Sequence, residues 1–370
     1  MRKKICIILW IGFMVYPVPV YGESDISLGS LERETREQFD TNFSIEEVIK
    51  GFQNGEIKET LGAVIKQQWK KAFQEEEEIR QCFIQMFFFV FKTAVFSNFS
   101  KAFVEQYVGT TGFYVAYMML CALMIRQFLI MFELAKGAME NILTFMKLLI
   151  PTYSLALVAV SGLTTSMATY ELFFFIITAV QWGMITIVLP CVKVGMVLKL
   201  LNFLSSEDLF SGFVELLESL IKLLLKGAIM IVLLFNIFQS MLLPAIDSVK
   251  SNVIQKGLGF LPGVGQVLGI VSNTAIGSGI ILKNAIGAAG MVVICVIAFL
   301  PVLKIMIYIG SFLLAGALLQ PVTDQRLYRA LKGVAESGKL LLQAVLTSVV
   351  LFLLTIAIVS VTTNMNYYIG

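Results

Sequence analysis

The chain has 370 residues, of which 58% are hydrophobic and 14% are charged, and its mean hydropathy is +0.84. These values exclude an ordinary soluble domain, which is about half apolar and about a quarter charged. The formal net charge of +3 is too small to predict nucleic-acid binding. Apolar runs of the length that crosses a bilayer as a helix recur along the chain, so we predict an all-α, polytopic integral membrane protein in the lipid bilayer.

The N-terminus has the pattern of a secretory signal peptide over residues 1–22. Arg2, Lys3 and Lys4 precede the apolar run 5–15, and a small-residue cleavage spacing ends at Gly22. The alternative is an uncleaved first membrane helix. Both interpretations place the following segment outside the cytoplasm.

Residues 23–81 form the one soluble-looking part of the chain. Ser44 and Glu47 have the spacing of a capping box, and apolar residues recur after them at helical spacing. We therefore predict an extracytoplasmic acidic helical segment. Its charged face is either solvated or used to dock a partner.

Prolines indicate an internal duplication of the membrane region. A shift of 111 residues places Pro151 on Pro262 and Pro190 on Pro301, and Pro190 and Pro301 each lie within a Leu-Pro-x-x-Lys sequence. The predicted division is a first membrane helix with its linker at 82–111, membrane repeats at 112–222 and 223–339, and a final membrane helix with its tail at 340–370.

Each predicted repeat contains a helix, a Pro/Gly-rich stretch and a second helix. The helices are 112–132 and 170–190 in the first copy and 224–244 and 285–301 in the second, and the stretches between them are 142–168 and 254–283. Stretches that span the bilayer would give inverted repeats, whereas re-entrant stretches would give parallel repeats.

Basic residues favour the re-entrant alternative. Lysines and arginines near helix ends prefer the cytoplasm, and they cluster at 193–226 and at 320–340. An even number of crossings must separate these two clusters. We therefore predict about six transmembrane helices and two re-entrant stretches, with 304–319 at the cytoplasmic interface.

Polar and small residues in the two stretches have two interpretations. They either line a pore or substrate path, since irregular backbone at membrane depth is tolerated where water reaches it, or they allow helices to pack closely. These candidate residues are Pro151, Ser161, Thr164 and Thr165 in the first stretch, and Pro262, Gly263, Gly265, Gln266, Ser272, Asn273, Thr274 and Ser278 in the second.

Two ionisable residues within apolar runs are further candidates, because charge inside a membrane is costly. Arg126 lies in the middle of an apolar run, and Lys283 lies where a re-entrant stretch would join the next helix. A structural ion pair or snorkelling is the alternative to a transport role for Arg126.

Enzymatic signatures are absent from the sequence. The chain has no histidine and therefore no histidine-centred triad or imidazole metal site. The phosphate-binding sequence GxxxxGK[ST] does not occur, so ATP-driven work would belong to a separate ATPase. We predict no enzymatic activity and no cofactor or metal.

Three sequences in the second half resemble the stage III sporulation protein AE family: FLPGVG at 260–265, SGIILKNAIG at 278–287 and AFLPVLK at 298–304. The resemblance extends over about 82–362 and is weaker before the second half. It implies a membrane subunit of a secretion-like channel complex in the mother-cell membrane around the forespore. The implied partners are other membrane subunits, ring-forming subunits and an ATPase.

Two other functions are compatible with the residues. One is a stand-alone secondary transporter of a small solute. The other is a non-conducting membrane scaffold on which the complex assembles.

Overall fold

A computed structural model describes residues 45–54, 109–161, 178–204, 209–258, 264–320 and 325–369, together with isolated positions elsewhere. Within these residues the protein is entirely helical. The helices are α1 (Ile45–Gln53), α2 (Gly109–Ser161), α3 (178–204, with a π-helical turn at Met184–Val188), α4 (Ser211–Leu258), α5 (Val264–Leu319) and α6 (Gln325–Ile369).

Four of these helices are long and apolar enough to cross a membrane. The corresponding ranges are Tyr117–Tyr153, Thr178–Asn202, Ile280–Leu318 and Tyr328–Ser360. The prediction of an all-α membrane protein is confirmed at this level.

The five long helices alternate in direction. The Tyr117 hydroxyl, near the start of α2, lies 3.5 Å from the Leu200 carbonyl near the end of α3. Lys199 near the end of α3 likewise pairs with Glu218 near the start of α4. At the other end of the bundle, Lys283 of α5 bonds to Ser360 of α6. The chain therefore runs up and down between two ends, which we call the basic end, where Lys199 lies, and the Lys283 end.

Apolar side chains from these helices form two buried clusters. The first extends from Tyr117 through the middle of the bundle and contains residues of α2 to α6. The second lies towards the Lys283 end and contains residues of α2, α5 and α6. Val48 and Ile49 of α1 also belong to this second cluster, whereas the neighbouring Glu47 is exposed. The amphipathic helix α1 is therefore attached to the membrane bundle.

Two predicted helix ends are wrong. Pro190 and Pro301 both lie inside continuous helices, so 285–301 and 304–319 are parts of one helix, α5. A proline removes one backbone hydrogen bond and its ring crowds the preceding turn, which packing against neighbouring helices can offset. In α3 the turn before Pro190 is widened to a π-helix, where the Leu189 N–H donates to the Met184 carbonyl.

The re-entrant stretches are not confirmed. Residues 142–161 continue α2 and residues 264–283 belong to α5, while 162–169 and 259–263 lie outside the described residues. The two basic segments nevertheless lie at the same end of the bundle, as the preference of basic residues for the cytoplasm predicts. Between them α4 runs away from this end and α5 returns to it. The signal peptide, the first membrane helix and the duplication stay predictions.

Candidate functional site

An ion-pair network joins three helices at the basic end. The Lys199 ammonium on α3 contacts the carboxylates of Glu218 on α4 and, at 3.4 Å, Glu336 on α6. Lys222 also lies 3.5 Å from Glu218. The Lys199 side chain is only 7% exposed, so its charge is balanced mainly by these carboxylates.

Glu218 lies outside the four apolar spans and is held in its charged form. Burial by itself would raise the pKa of this carboxyl, but the hydrogen bond and charge of Lys199, together with Lys222, outweigh burial and leave the pKa below its usual value. Glu218 therefore carries its negative charge near neutral pH.

A second polar layer lies deeper in the bundle. The Gln181 amide donates to the Met139 carbonyl of α2 at 2.9 Å, and the Ser348 hydroxyl of α6 donates to the Gln181 side-chain oxygen at 2.9 Å. Beside it is a cavity of about 10 Å³ lined by Val180, Gln181, Val232, Leu351, Phe352 and Thr355. That volume is roughly what one water molecule needs.

The third layer surrounds Lys283, whose side chain is fully buried. Its ammonium donates to the Ser360 carbonyl at 3.1 Å, and the Ser360 hydroxyl donates to the Asn284 side-chain oxygen at 2.7 Å. Lys283 thus links α5 to α6, which favours a structural role for this candidate residue.

Lysines indicate where the hydrocarbon core lies along the bundle. Lys283 and Lys304 are about six turns apart on α5, which is about 32 Å at 1.5 Å per residue. A hydrocarbon core is about 30 Å thick. Lys193 of α3 stacks on Phe132, and Lys339 of α6 follows Gly338, which faces Met131 and Ile309, so both lie a little more than one turn beyond Lys304 towards the basic end. The Gln181–Ser348 layer falls between the two boundaries.

One face of α2 is polar from the basic end into these depths. Between residues 123 and 150 every exposed side chain on this helix is polar: Arg126, Glu133, Glu140, Asn141 and Lys147. Lys136 is half-buried and pairs with Glu140 at 3.8 Å. We call Arg126, Glu133, Lys136, Glu140 and Lys147 the polar face of α2.

Helix α4 differs from α2 in this respect. Among the side chains that are described from 228 to 238, the exposed ones are all apolar: Met230, Ile231, Leu234, Ile237 and Phe238. This composition is what a helix facing lipid requires. The comparison shows that the outward faces of α2 and α4 are suited to different surroundings.

Comparison with known proteins identifies the family. The model of the family described as stage III sporulation protein AE matches residues 43–363. The chain belongs to this family. The stage III sporulation protein AE of Bacillus subtilis (strain 168) is 23% identical to it over 268 residues, which are 72% of this chain and 67% of the relative. No solved structure matches the chain.

For most of the residues predicted to line a pore in this AE-family protein, the side chain lies outside the described part of the structure. Pro151 is half-buried inside α2, and Arg126 is exposed on the polar face. Ser161, Gly265, Gln266, Ser272, Asn273, Thr274 and Ser278 lie in helices whose side chains at these positions are outside the description, and Thr164, Thr165, Pro262 and Gly263 are outside the described residues. Pore lining and close packing both stay predictions for them.

The predicted helix 112–132 contains only Arg126 of the polar face. Residues 133–141 are predicted to lie outside the membrane, whereas α2 is continuous to Ser161. Arg126, Glu133, Glu140 and Lys147 are separated by seven residues each, which is two helical turns. That spacing was a usable signal for one charged helix face.

Proposed function

We propose that this protein is a membrane subunit of a multiprotein, secretion-like channel complex between mother cell and forespore, required for forespore development. The observation that carries this proposal is the family match over 43–363, which includes nearly all of α2 to α6. Sporulation is the role that the family description gives, and the long apolar helices suit a membrane subunit.

The proposed location is the mother-cell membrane around the forespore, crossed several times. Basic residues at helix ends favour the cytoplasm, so the basic end faces the mother-cell cytoplasm. Helix α1 belongs to the buried cluster towards the opposite end. Its position supports an extracytoplasmic location for residues 23–81.

Two features favour a complex subunit over a transporter that works alone. The buried polar groups Gln181 and Ser348 are bonded to each other and to Met139, and the cavity beside them measures about 10 Å³. Substrate pockets are usually about 300 Å³ or larger. The charges at membrane depth instead face outward from the bundle on α2. The proposed partners are other membrane subunits, ring-forming subunits and a separate ATPase.

The experiment is affinity purification of the tagged full chain from membranes of sporulating cells, combined with deletion of its gene. We expect membrane and ring-forming sporulation proteins and an ATPase to co-purify, and we expect deletion to abolish heat-resistant spores. A tagged chain from vegetative cells is the matched control. Normal spores after deletion, or saturable solute uptake by the purified chain alone in liposomes, would overturn the proposal.

The scaffold alternative is tested in the same cells. If the protein only assembles its partners, Gln266→Glu and Asn273→Asp should leave both co-purification and spore formation unchanged. A conducting subunit is expected to keep its partners while these variants lower the spore yield.

A further inference from the structure

The polar face of α2 carries charge inside the hydrocarbon core. Gly338 of α6 faces both Met131 of α2 and Ile309 of α5, so Lys304 lies at about the depth of Lys136, and Glu140 is about 6 Å inside that boundary. Lys147 is two turns further towards Tyr153, and Tyr153 contacts the α5 backbone at Gly287 near the Lys283 boundary. Both charged side chains therefore lie between the two lysine-marked boundaries.

Lipid is an unsuitable neighbour for these side chains. A charge near the centre of a bilayer costs roughly 2.5–3.5 kcal/mol on insertion scales. Lys147 lies about 15 Å from either boundary, which is farther than a lysine stem extends towards an interface. Glu140 is 51% exposed even with Lys136 beside it.

The polar face is also too long for an isolated ion pair with one partner residue. Arg126 and Lys147 are about six turns apart, so the face extends about 32 Å, close to the thickness of the core. It begins at the basic end, about 15 Å outside the Lys304 boundary, and reaches about the middle of the core at Lys147. It therefore leads from the basic end into the membrane.

The opposite side of α2 is fixed against the bundle. Phe128, Met131 and Phe145 are fully buried there, and Gln181 bonds to the backbone of α2 at Met139. The polar face therefore has a rigid support and is directed away from the described bundle.

From these observations we infer that the polar face of α2 lines a water-filled passage between this chain and a neighbouring subunit of the complex. The inference rests on the proposed function, because a second subunit must close the passage. Acidic and basic side chains alternate along the face, so the wall has little net charge. This composition suits small polar solutes of either sign better than ions of one sign.

Thiol accessibility tests the passage in native membranes of sporulating cells. Glu140→Cys and Lys147→Cys are introduced singly into the full chain after its native cysteines are replaced by alanine. We expect both to react with a small membrane-impermeant thiosulfonate added from the side of the basic end. Ile231→Cys and Leu234→Cys are the matched controls, because Val232 shares the Gln181 cavity and places them at the same depth on the apolar face of α4. These two should stay unreactive.

Unreactive cysteines at 140 and 147 in a complex that still co-purifies with its partners would overturn the inference and leave the proposed function standing. That result would indicate a dry contact with a partner or with another segment of this chain. Loss of partner co-purification from the unsubstituted protein would instead contradict the proposed function itself.

A second measurement distinguishes a water-filled passage from a face that packs equally well against an apolar partner. The double substitution Glu140→Leu with Lys147→Leu should lower the yield of heat-resistant spores at least tenfold while the variant still co-purifies with its partners. Ile231→Ala with Leu234→Ala is the control and should keep a normal yield. A normal yield from the leucine variant would overturn the inference.

Discussion

Lys199 shows how one buried charge can hold three helices together. Replacing Glu218 by glutamine removes one of its two carboxylate partners and leaves the ammonium only 7% exposed. Because breaking a buried ion pair leaves an imperfectly balanced charge, we expect the free energy of unfolding to fall by about 3 kcal/mol. Denaturant unfolding of the purified protein in detergent measures this change.

The exposed Glu215 provides the control for that substitution, because it lies on the same helix without a described ion pair. Glu215→Gln should change the stability by less than about 0.5 kcal/mol. Equal effects of the two substitutions would contradict a special role for the Lys199 network.

Acid should weaken the same network. The pKa of Glu218 is lower in the folded protein than its ordinary value of 4.5, so its stabilising contribution is complete above pH 4.5 and is lost as the pH falls through the folded pKa. We expect the difference in melting temperature between the native chain and Glu218→Gln to be constant from pH 7 to about pH 5 and to shrink below that. A difference that grows on acidification would have the wrong sign.

At the scale of whole helices, close packing depends on particular glycines. A Cβ at Gly287 of α5 would lie 3.2 Å from the Tyr153 ring of α2 and 3.3 Å from Ile356 of α6. Gly287→Leu should therefore separate α5 from both neighbours and lower the stability by about 2 kcal/mol. Thermal unfolding in detergent measures the loss.

Gly310 lies on the same helix, and nothing lies within 4 Å of a Cβ placed there. Gly310→Leu should leave the melting temperature unchanged or raise it slightly, because leucine has the higher helix propensity. A large loss of stability from both substitutions would show that α5 tolerates no added side chain. It would contradict the explanation by close contact at Gly287.

The sequence predicted the presence of helices better than their ends. Apolar runs and basic clusters were sufficient to predict membrane helices and the meeting of the two basic segments. The sequence predicts helix ends at Pro190 and Pro301, but packing of α3 and α5 against neighbouring helices keeps both prolines inside continuous helices. The Gln181–Ser348 and Lys199–Glu336 contacts join residues more than a hundred positions apart, and a single sequence has no periodic signal for such pairs.

The whole molecule has a testable orientation. Ser205 follows the last residue of α3 in the sequence and Gln325 is the first residue of α6, both at helix ends that lie at the basic end, whereas Asp247 lies on α4 towards the opposite end. In whole cells, Ser205→Cys and Gln325→Cys should be shielded from an impermeant thiol reagent, and Asp247→Cys should react. Permeabilised cells provide the control, since all three cysteines should then react. Labelling of only one of the first two in intact cells would contradict the up-and-down arrangement.

The attachment of α1 also has a consequence for biosynthesis. Val48 and Ile49 are made early, but the second cluster that buries them includes Ala285–Ala298 and Val349–Val359, which are made last. During synthesis the apolar side of α1 therefore stays exposed until more than two hundred further residues have been inserted. Contacts so distant along the chain form slowly and expose apolar surface to misassembly. A nascent chain that stalls before α5 would present this helix to chaperones and proteases as a sign of incomplete assembly.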